Sequence, residues 1–194
     1  MANKKESTFL SMTLTLLIVT VVAAFSLGGV YNLTFEKIEE SKRIKKENAI
    51  KKVVPEFTEL KSFKVKPTDA NDSLEFNQAF NEDKLVGTAV ATYTDIGFSG
   101  RFKIMVGFSP DGKIINTAVL EHKETPGLGD KMDASKSDFP NQFMDKDPSK
   151  YNLKVTKDGG DVDAITAATI SSRAFCDAVN RAYITFENEK GDKE

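Results

Sequence analysis

The alternation of hydrophobic and polar positions changes rhythm three times along the chain. Between Glu6 and Glu36 no residue is charged, and Phe9 to Val30 is dominated by Leu, Val, Ile, Ala, Met and Phe. As a helix this run is about 33 Å long at 1.5 Å per residue, enough to cross about 30 Å of hydrocarbon. It predicts a transmembrane anchor at 9–31, embedded in a lipid bilayer, after a short cytoplasmic N-terminus at 1–8. A cleaved signal peptide is the competing reading, because Lys4 and Lys5 precede the run and Val22-Ala23-Ala24 offers small residues. A signal core is only about 7–15 residues long, so the uncleaved anchor is preferred. No cysteine follows the run, so it is not a lipoprotein anchor.

From Thr34 to Val54 the rhythm is different. Phe35, Ile38, Ile44, Ala49, Ile50, Val53 and Val54 punctuate a strongly charged stretch that Pro55 stops, which predicts a stalk helix within 32–55. Its charges fit a solvated helix face, or docking to a partner or to anionic lipid. Residues 61–81 show no clear period and read as strand and loop material.

The third rhythm is that of strands, and it begins at about Leu85. Leu85 to Thr94 is rich in small and β-branched residues, and Arg101 to Phe108 leads through Ser109-Pro110-Asp111-Gly112 into Lys113 to Glu121, an antiparallel hairpin. Residues 133–150, with Phe139, Phe143 and Met144, predict a loop and short helix covering a site. Leu153 to Thr156, the turn around Asp158-Gly159-Gly160, and Val162 to Ile165 predict a last hairpin. Ile170, Ala174, Ala178, Ala182 and Phe186 then recur every fourth residue, one face of a helix, before a charged tail at 188–194. The class is α+β: an anchor and stalk, then one domain at 56–187 with an antiparallel sheet and flanking helices.

Composition narrows the chemistry. The formal net charge is -2, from 27 Lys and Arg against 29 Asp and Glu, so no basic excess points to nucleic acid. Cys176 is the only cysteine and His122 the only histidine. No intramolecular disulfide, Cys-ligated iron–sulfur cluster or multi-histidine metal site can form within the chain. Cys176 reads as a small buried apolar residue. His122 has no identifiable Ser or Cys partner for hydrolysis, and no Gly-x-Gly-x-x-Gly turn marks an independent NAD site.

Two segments carry candidate chemistry. Asp163-Ala164-Ile165-Thr166-Ala167-Ala168-Thr169 runs into Ile170-Ser171-Ser172-Arg173 at a helix start, where Thr166, Thr169, Ser171 and Ser172 crowd the first turn. One hydroxyl suffices as a cap, so the plain reading has Thr166 or Thr169 capping and Ser171 and Ser172 solvated. Thr169 also sits where a negatively charged group is favoured by free N–H groups and the helix dipole. The second segment is Glu124-Thr125-Pro126-Gly127-Leu128-Gly129-Asp130-Lys131, in which Pro126, Gly127 and Gly129 forbid regular structure. Gly97-Phe98-Ser99-Gly100 is by itself an ordinary loop.

Both segments resemble motifs of the FMN-binding domains of the Rnf and Nqr families: Asp-x-x-(Ser/Thr)-Gly-Ala-Thr, and Glu-Thr-Pro-Gly-Leu-Gly. The resemblance implies that FMN is attached through its phosphate to Thr169 by a flavin transferase. It implies a cofactor site made of Thr169, Thr166, Ala168 and Asp163, with Glu124, Thr125 and Leu128, and with Gly97, Phe98, Ser99 and Gly100 beside the flavin. Lys131 is a cationic partner for reduced flavin or phosphate, or a solvated surface residue. Arg173 adds to phosphate binding or is an exposed helical Arg. The motif's Gly is Ala167 here.

The short, insertion-free domain is similar to the G subunits of Rnf complexes more than to the longer C subunits of sodium-translocating NADH:quinone oxidoreductases. The implied role is a single-flavin electron relay, one component of a translocase that couples ferredoxin/NAD electron transfer to sodium or proton transport beside other membrane subunits. The C-subunit role and a flavin-free extracytoplasmic scaffold domain are the alternatives. Lys37, Lys42, Arg43, Lys45 and Lys46 outnumber Lys4 and Lys5, a count that would place the domain in the cytoplasm. They are interleaved with Glu36, Glu39, Glu40 and Glu47, and the resemblance implies the outer face of the bacterial cytoplasmic membrane.

Overall fold

A computed structural model of the chain describes residues 8–67 and 72–191. Residues 1–7, with Lys4 and Lys5, and residues 192–194 of the expected tail lie outside the described residues. The chain divides into two compact units, Met1–Ile44 and Lys45–Glu194.

The first unit is helical. The helix α1, Phe9–Val53, is long and apolar enough to cross a membrane, and it fits a single-pass anchor. In its apolar stretch, threonine hydroxyls bond to the helix's own backbone. The hydroxyls of Thr13, Thr15, Thr20 and Thr34 donate to the carbonyls of Phe9, Ser11, Leu16 and Val30, at 2.7–3.0 Å. Such bonds to the preceding turn remove the cost of placing a hydroxyl in hydrocarbon.

The second unit is built on a meander, β1 (Glu59–Val65), β2 (Leu74–Asn81), β3 (Lys84–Thr94), β4 (Phe102–Phe108) and β5 (Ile114–Glu121), every pair antiparallel and neighbours in sequence order. The sheet therefore starts two strands before Leu85. From the sequence, residues 61–81 read only as strand and loop material, and β1 and β2 are not resolved there because Glu59, Lys61, Lys64, Asn77 and Gln78 interrupt their apolar positions. The β2–β3 turn places both Glu82 and Asp83 at positive φ, the backbone of a two-residue hairpin turn without its usual Gly. The expected turn between β4 and β5 is present: the Gly112 N–H donates to the Ser109 carbonyl at 2.9 Å, with Gly112 at φ 90°.

Each face of the sheet is covered by a different helix. On one face lies α2, Thr169–Gly191, whose buried Ala174, Ala178 and Ala182 let its backbone approach the strands closely enough for Thr92 Oγ1 to donate to the Ala178 carbonyl at 3.1 Å. Phe175 is fully buried there, with ring centroids 5.4 Å from Phe139 and 5.1 Å from Phe143, a burial that contributes about 1.5–3 kcal/mol. On the other face the last turns of α1 set Ala49, Ile50 and Val53 against Ala79, Ala89 and Met105. A Cβ on Gly107 would lie 1.7 Å from the Val53 carbonyl oxygen, so glycine is what admits the helix end.

Two expectations from the chain after β5 are corrected. The short helix Phe139–Phe143 buries both rings in the core rather than covering a site. The expected last hairpin is instead a parallel bridge, Val155 to Val162, around the short helix Thr156–Asp158. Both valines are buried, and Gly160 lies against the Lys154 backbone, where a Cβ would be 2.0 Å from the carbonyl oxygen. That inward crossing leaves no room for paired strands.

Candidate functional site

The entry into α2 is a turn that a buried serine holds shut. The Ala168 N–H donates to the Ile165 carbonyl at 2.9 Å, and Ser172 N–H makes the first helical bond to the Ala168 carbonyl at 3.0 Å. Ser172 Oγ accepts from the Ile165 N–H at 2.9 Å and donates to the Ala168 carbonyl at 3.0 Å. Inside the turn Ala167 has φ 61°, the left-handed region that costs a residue with a Cβ about 1–2 kcal/mol. This is the physical reason for glycine in the resembling motif.

The expected capping is therefore corrected. Ser171 and Ser172 are 2% and 0% exposed, not solvated. Among the described residues neither the Thr166 nor the Thr169 hydroxyl has a hydrogen-bond partner. The amides of Thr169, Ile170 and Ser171 precede the first helical bond and have no acceptor within the helix. Beside an uncommitted hydroxyl, these amides favour an anion.

Glu124 joins this helix start to two loops. It is 4% exposed. One carboxylate oxygen accepts from the Ser99 N–H at 3.0 Å, and the other from the Ser171 hydroxyl at 2.7 Å. Its own N–H donates to His122 Nδ1 at 3.2 Å. Leu128 N–H donates to the Thr125 carbonyl at 3.1 Å, which folds the loop from Thr125 into the short helix Gly129–Met132.

A cavity of about 290 Å³ opens where these segments meet, lined by Phe98, Glu124, Thr125, Leu128, Gly129 and residues 167–171. Phe98, Leu128 and Ile170 are 66%, 40% and 47% exposed, so the apolar wall faces outward. Of the residues predicted for the site, Phe98, Glu124, Thr125, Leu128, Ala168 and Thr169 come together here. Gly97, Ser99 and Gly100 stand behind Phe98, and neither Asp163, Thr166 nor Lys131 is on the wall. Asp163 is held by Gln142, whose side chain accepts from its N–H at 2.8 Å and donates to its carbonyl at 3.1 Å. Sequence reasoning passed over Gly129, Ile170 and Ser171. Ile170 was readable as the first member of the four-residue period, but it faces the cavity rather than the core.

Arg173 points elsewhere. Its guanidinium donates twice to Asp158, at 2.7 and 2.8 Å, which draws the Asp158 carboxyl below the usual carboxylate range and raises the guanidinium further. Cys176 is buried as expected, and burial pushes its thiol up to about 12.

Residues 97–184, which contain the whole cavity wall, match the family model described as FMN-binding domain. The G subunit of the ion-translocating oxidoreductase complex of Erwinia tasmaniensis is 44% identical over 116 residues, 58% of this chain and 55% of that protein. The namesake from Shewanella baltica is 40% identical over 115 residues, 58% and 54%. These matches span about half the length of either relative. In the Shewanella piezotolerans G subunit the likeness extends over 173 residues at 32% identity, 83% of this chain and 81% of the relative. The chain belongs to the family of G subunits of ion-translocating oxidoreductase complexes. In this member of the G-subunit family the two motif segments, some forty residues apart in sequence, close on a single cavity with Thr169 in its wall.

Proposed function

We propose that the chain is an electron-relay subunit that holds FMN in the cavity of Phe98, Leu128 and Thr169, joined through its phosphate to Thr169. The observation that carries this reading is the Thr169 hydroxyl, without a partner of its own, set in the cavity wall at a helix start with unpaired amides. The residues present fit the group. An outward-facing apolar wall suits a flat aromatic ring system, and free amides at the first turn of α2 suit a phosphodiester, at about 0.3–1 kcal/mol if exposed.

Bound FMN supplies one- and two-electron chemistry that no side chain of this protein offers. The chain's own residues do the rest. Thr169 gives up its hydroxyl proton as a flavin transferase makes the oxygen–phosphorus bond and the flavin donor loses its leaving group. The α2 amides steady the remaining phosphate charge. Phe98, Leu128 and Ile170 would hold the ring against their apolar surface, at a cavity that opens to solvent. Thr125 and Lys131 provide polar contacts nearby, with Thr125 on the wall and Lys131 one turn beyond it. Arg173 is left out of the phosphate site because Asp158 holds it.

By its family the chain serves a membrane complex, and the reaction we propose is electron transfer between ferredoxin and NAD coupled to sodium or proton transport. Partners are the membrane-embedded subunits and the transferase. The domain is assigned to the outer face, where a covalent bond prevents loss of a cofactor held at an open site. The test is the intact mass of the chain purified from its own host, with peptide mapping of residues 157–173 and flavin fluorescence on a denaturing gel. One added FMN on Thr169 is the expected result. An unmodified peptide from a host with active transferase would overturn the relay and favour a flavin-free scaffold domain.

A further inference from the structure

The carboxylate of Glu124 is buried without a cation: among the described residues no ion pair involves it. Burying a charge this way is costly unless every oxygen is satisfied. Here each oxygen is satisfied by a different wall of the cavity. Ser99, beside Phe98, binds one, and Ser171, two residues after Thr169, binds the other.

The space around the carboxylate is made by two glycines. A Cβ on Gly97 would lie 2.8 Å from one carboxylate oxygen, and a Cβ on Gly129 would lie 2.5 Å from the other and 2.6 Å from Ser171 Oγ. Gly129, itself on the cavity wall, leaves the room that the carboxylate and Ser171 occupy, while Gly97 is required first by the Gly100 carbonyl, 2.3 Å from where its Cβ would lie, and then by the carboxylate. Each carboxylate oxygen accepts one wall's hydrogen bond, so Glu124 ties the two walls together. It also lines the cavity, so its charge is felt there.

We propose that Glu124 is the positioning residue of the flavin cavity, clamping the Phe98 loop to the first turn of α2 and acting as an unpaired negative charge that lowers the reduction potential of the bound flavin. This rests on the relay reading given above. A fixed anion near the ring disfavours the arrival of electrons, and Glu124, 4% exposed, is screened less than a surface carboxylate.

The experiment uses the full chain from its own host, comparing wild type with Glu124→Gln, Glu124→Ala and Ser171→Ala by flavin content from intact mass, visible flavin spectrum and midpoint potential. Glu124→Gln keeps an acceptor for Ser99 and a donor for Ser171 but removes the charge, so the midpoint potential of the flavin it carries should move upward from the wild-type value. Glu124→Ala frees both walls, and most of the flavin should be lost. Should that variant fail to fold, Ser171→Ala removes one anchor only, and an altered flavin spectrum is expected.

An unchanged potential in Glu124→Gln overturns the charge role. Wild-type flavin content in Glu124→Ala, or a wild-type spectrum in Ser171→Ala, overturns the clamp. A wild type with no flavin on Thr169 overturns the relay reading and this proposal with it, and so is told apart from the other outcomes.

Discussion

Two cavities border α2 within three turns of each other, and the larger is not the one the motifs point to. The cavity at Leu153, Val155, Asp158, Arg173, Cys176 and Asp177 is about 390 Å³, against about 290 Å³ beside Thr169. The difference lies in how much chemistry each has left over. In the larger cavity Arg173 and Asp158 satisfy each other, and Asp177 accepts from Thr94 at 2.7 Å and pairs with Arg181 at 3.3 Å. The Cys176 thiol, pushed up to about 12, stays protonated at neutral pH. In the smaller cavity a hydroxyl and the first helical amides have no partner. Lys154 and Asn180 also line the larger cavity, so what separates the smaller one is not free polar groups as such but an uncommitted hydroxyl set beside the unpaired amides of a helix start.

The largest effect expected from this contrast is in the modification itself. Thr169→Val should remove covalent flavin entirely, read as loss of the FMN mass and of gel fluorescence, with the melting temperature of the flavin-free chain unchanged because that hydroxyl bonds to nothing in the protein. Arg173→Gln, on the other cavity, should leave flavin content at the wild-type level. Equal loss in both variants would erase the distinction.

Next in size is Ser172→Ala. It leaves the buried Ile165 N–H without its acceptor, a loss of about 1–3 kcal/mol. A chain of this size should then melt about 2–4 °C lower per kcal/mol, in detergent. No change in the melt would mean that the turn before Thr169 is not held by this serine. Smaller still is Ala167→Gly. Relief of left-handed strain, about 1–2 kcal/mol, is offset by the about 0.4–1 kcal/mol that extra freedom gives the unfolded chain. A net gain between about 0 and 1.6 kcal/mol remains, visible as a higher melting temperature. A lower one would show that the motif's glycine serves something other than this φ.

Much of the site was legible because its chemistry lies in contiguous residues. Thr125 and Leu128 on one segment and Ala168 and Thr169 on the other could be named from the chain, and all line the cavity. What the sequence hid is which hydroxyl does what. Ser171 and Ser172 look like surplus surface residues, yet one holds Glu124 and the other holds the turn, roles that depend on partners 47 and 7 residues away. Gly97, which the resemblance puts beside the flavin, instead lies against the Gly100 carbonyl and the Glu124 carboxylate, 2.3 and 2.8 Å from where its Cβ would be. In the fold, the anchor, β3, the β4–β5 hairpin and the alanine face of α2 were readable from period alone. β1 and β2 were not, because their polar residues blur the alternation. The Val155–Val162 crossing was not either, because a single buried bridge carries no repeating pattern.

The smallest expected effect tests the larger cavity. Asp158 has its carboxyl drawn below the usual carboxylate range by Arg173, so the folded state binds that proton more weakly than the unfolded chain does. Stability from the pair is fully present above the ordinary range, about pH 4, and is lost as pH falls from there through the lower folded value. Arg173 stays charged throughout, so the whole pH dependence of the pair belongs to Asp158. The side chains are 45% and 37% exposed, which screens the interaction and keeps its contribution small. Melts of wild type and Asp158→Asn should differ slightly at pH 6, converge below pH 4, and differ less at pH 6 in high salt. Subtracting the variant removes the other acidic groups that titrate in the same window, Asp95, Asp111, Asp133 and Asp147 among them. If the difference instead persists at low pH, Asp158 contributes through geometry rather than charge. The contact between Arg173 and Asp158 at the larger cavity would then be one of packing, and their mutual neutralisation would no longer set that cavity apart.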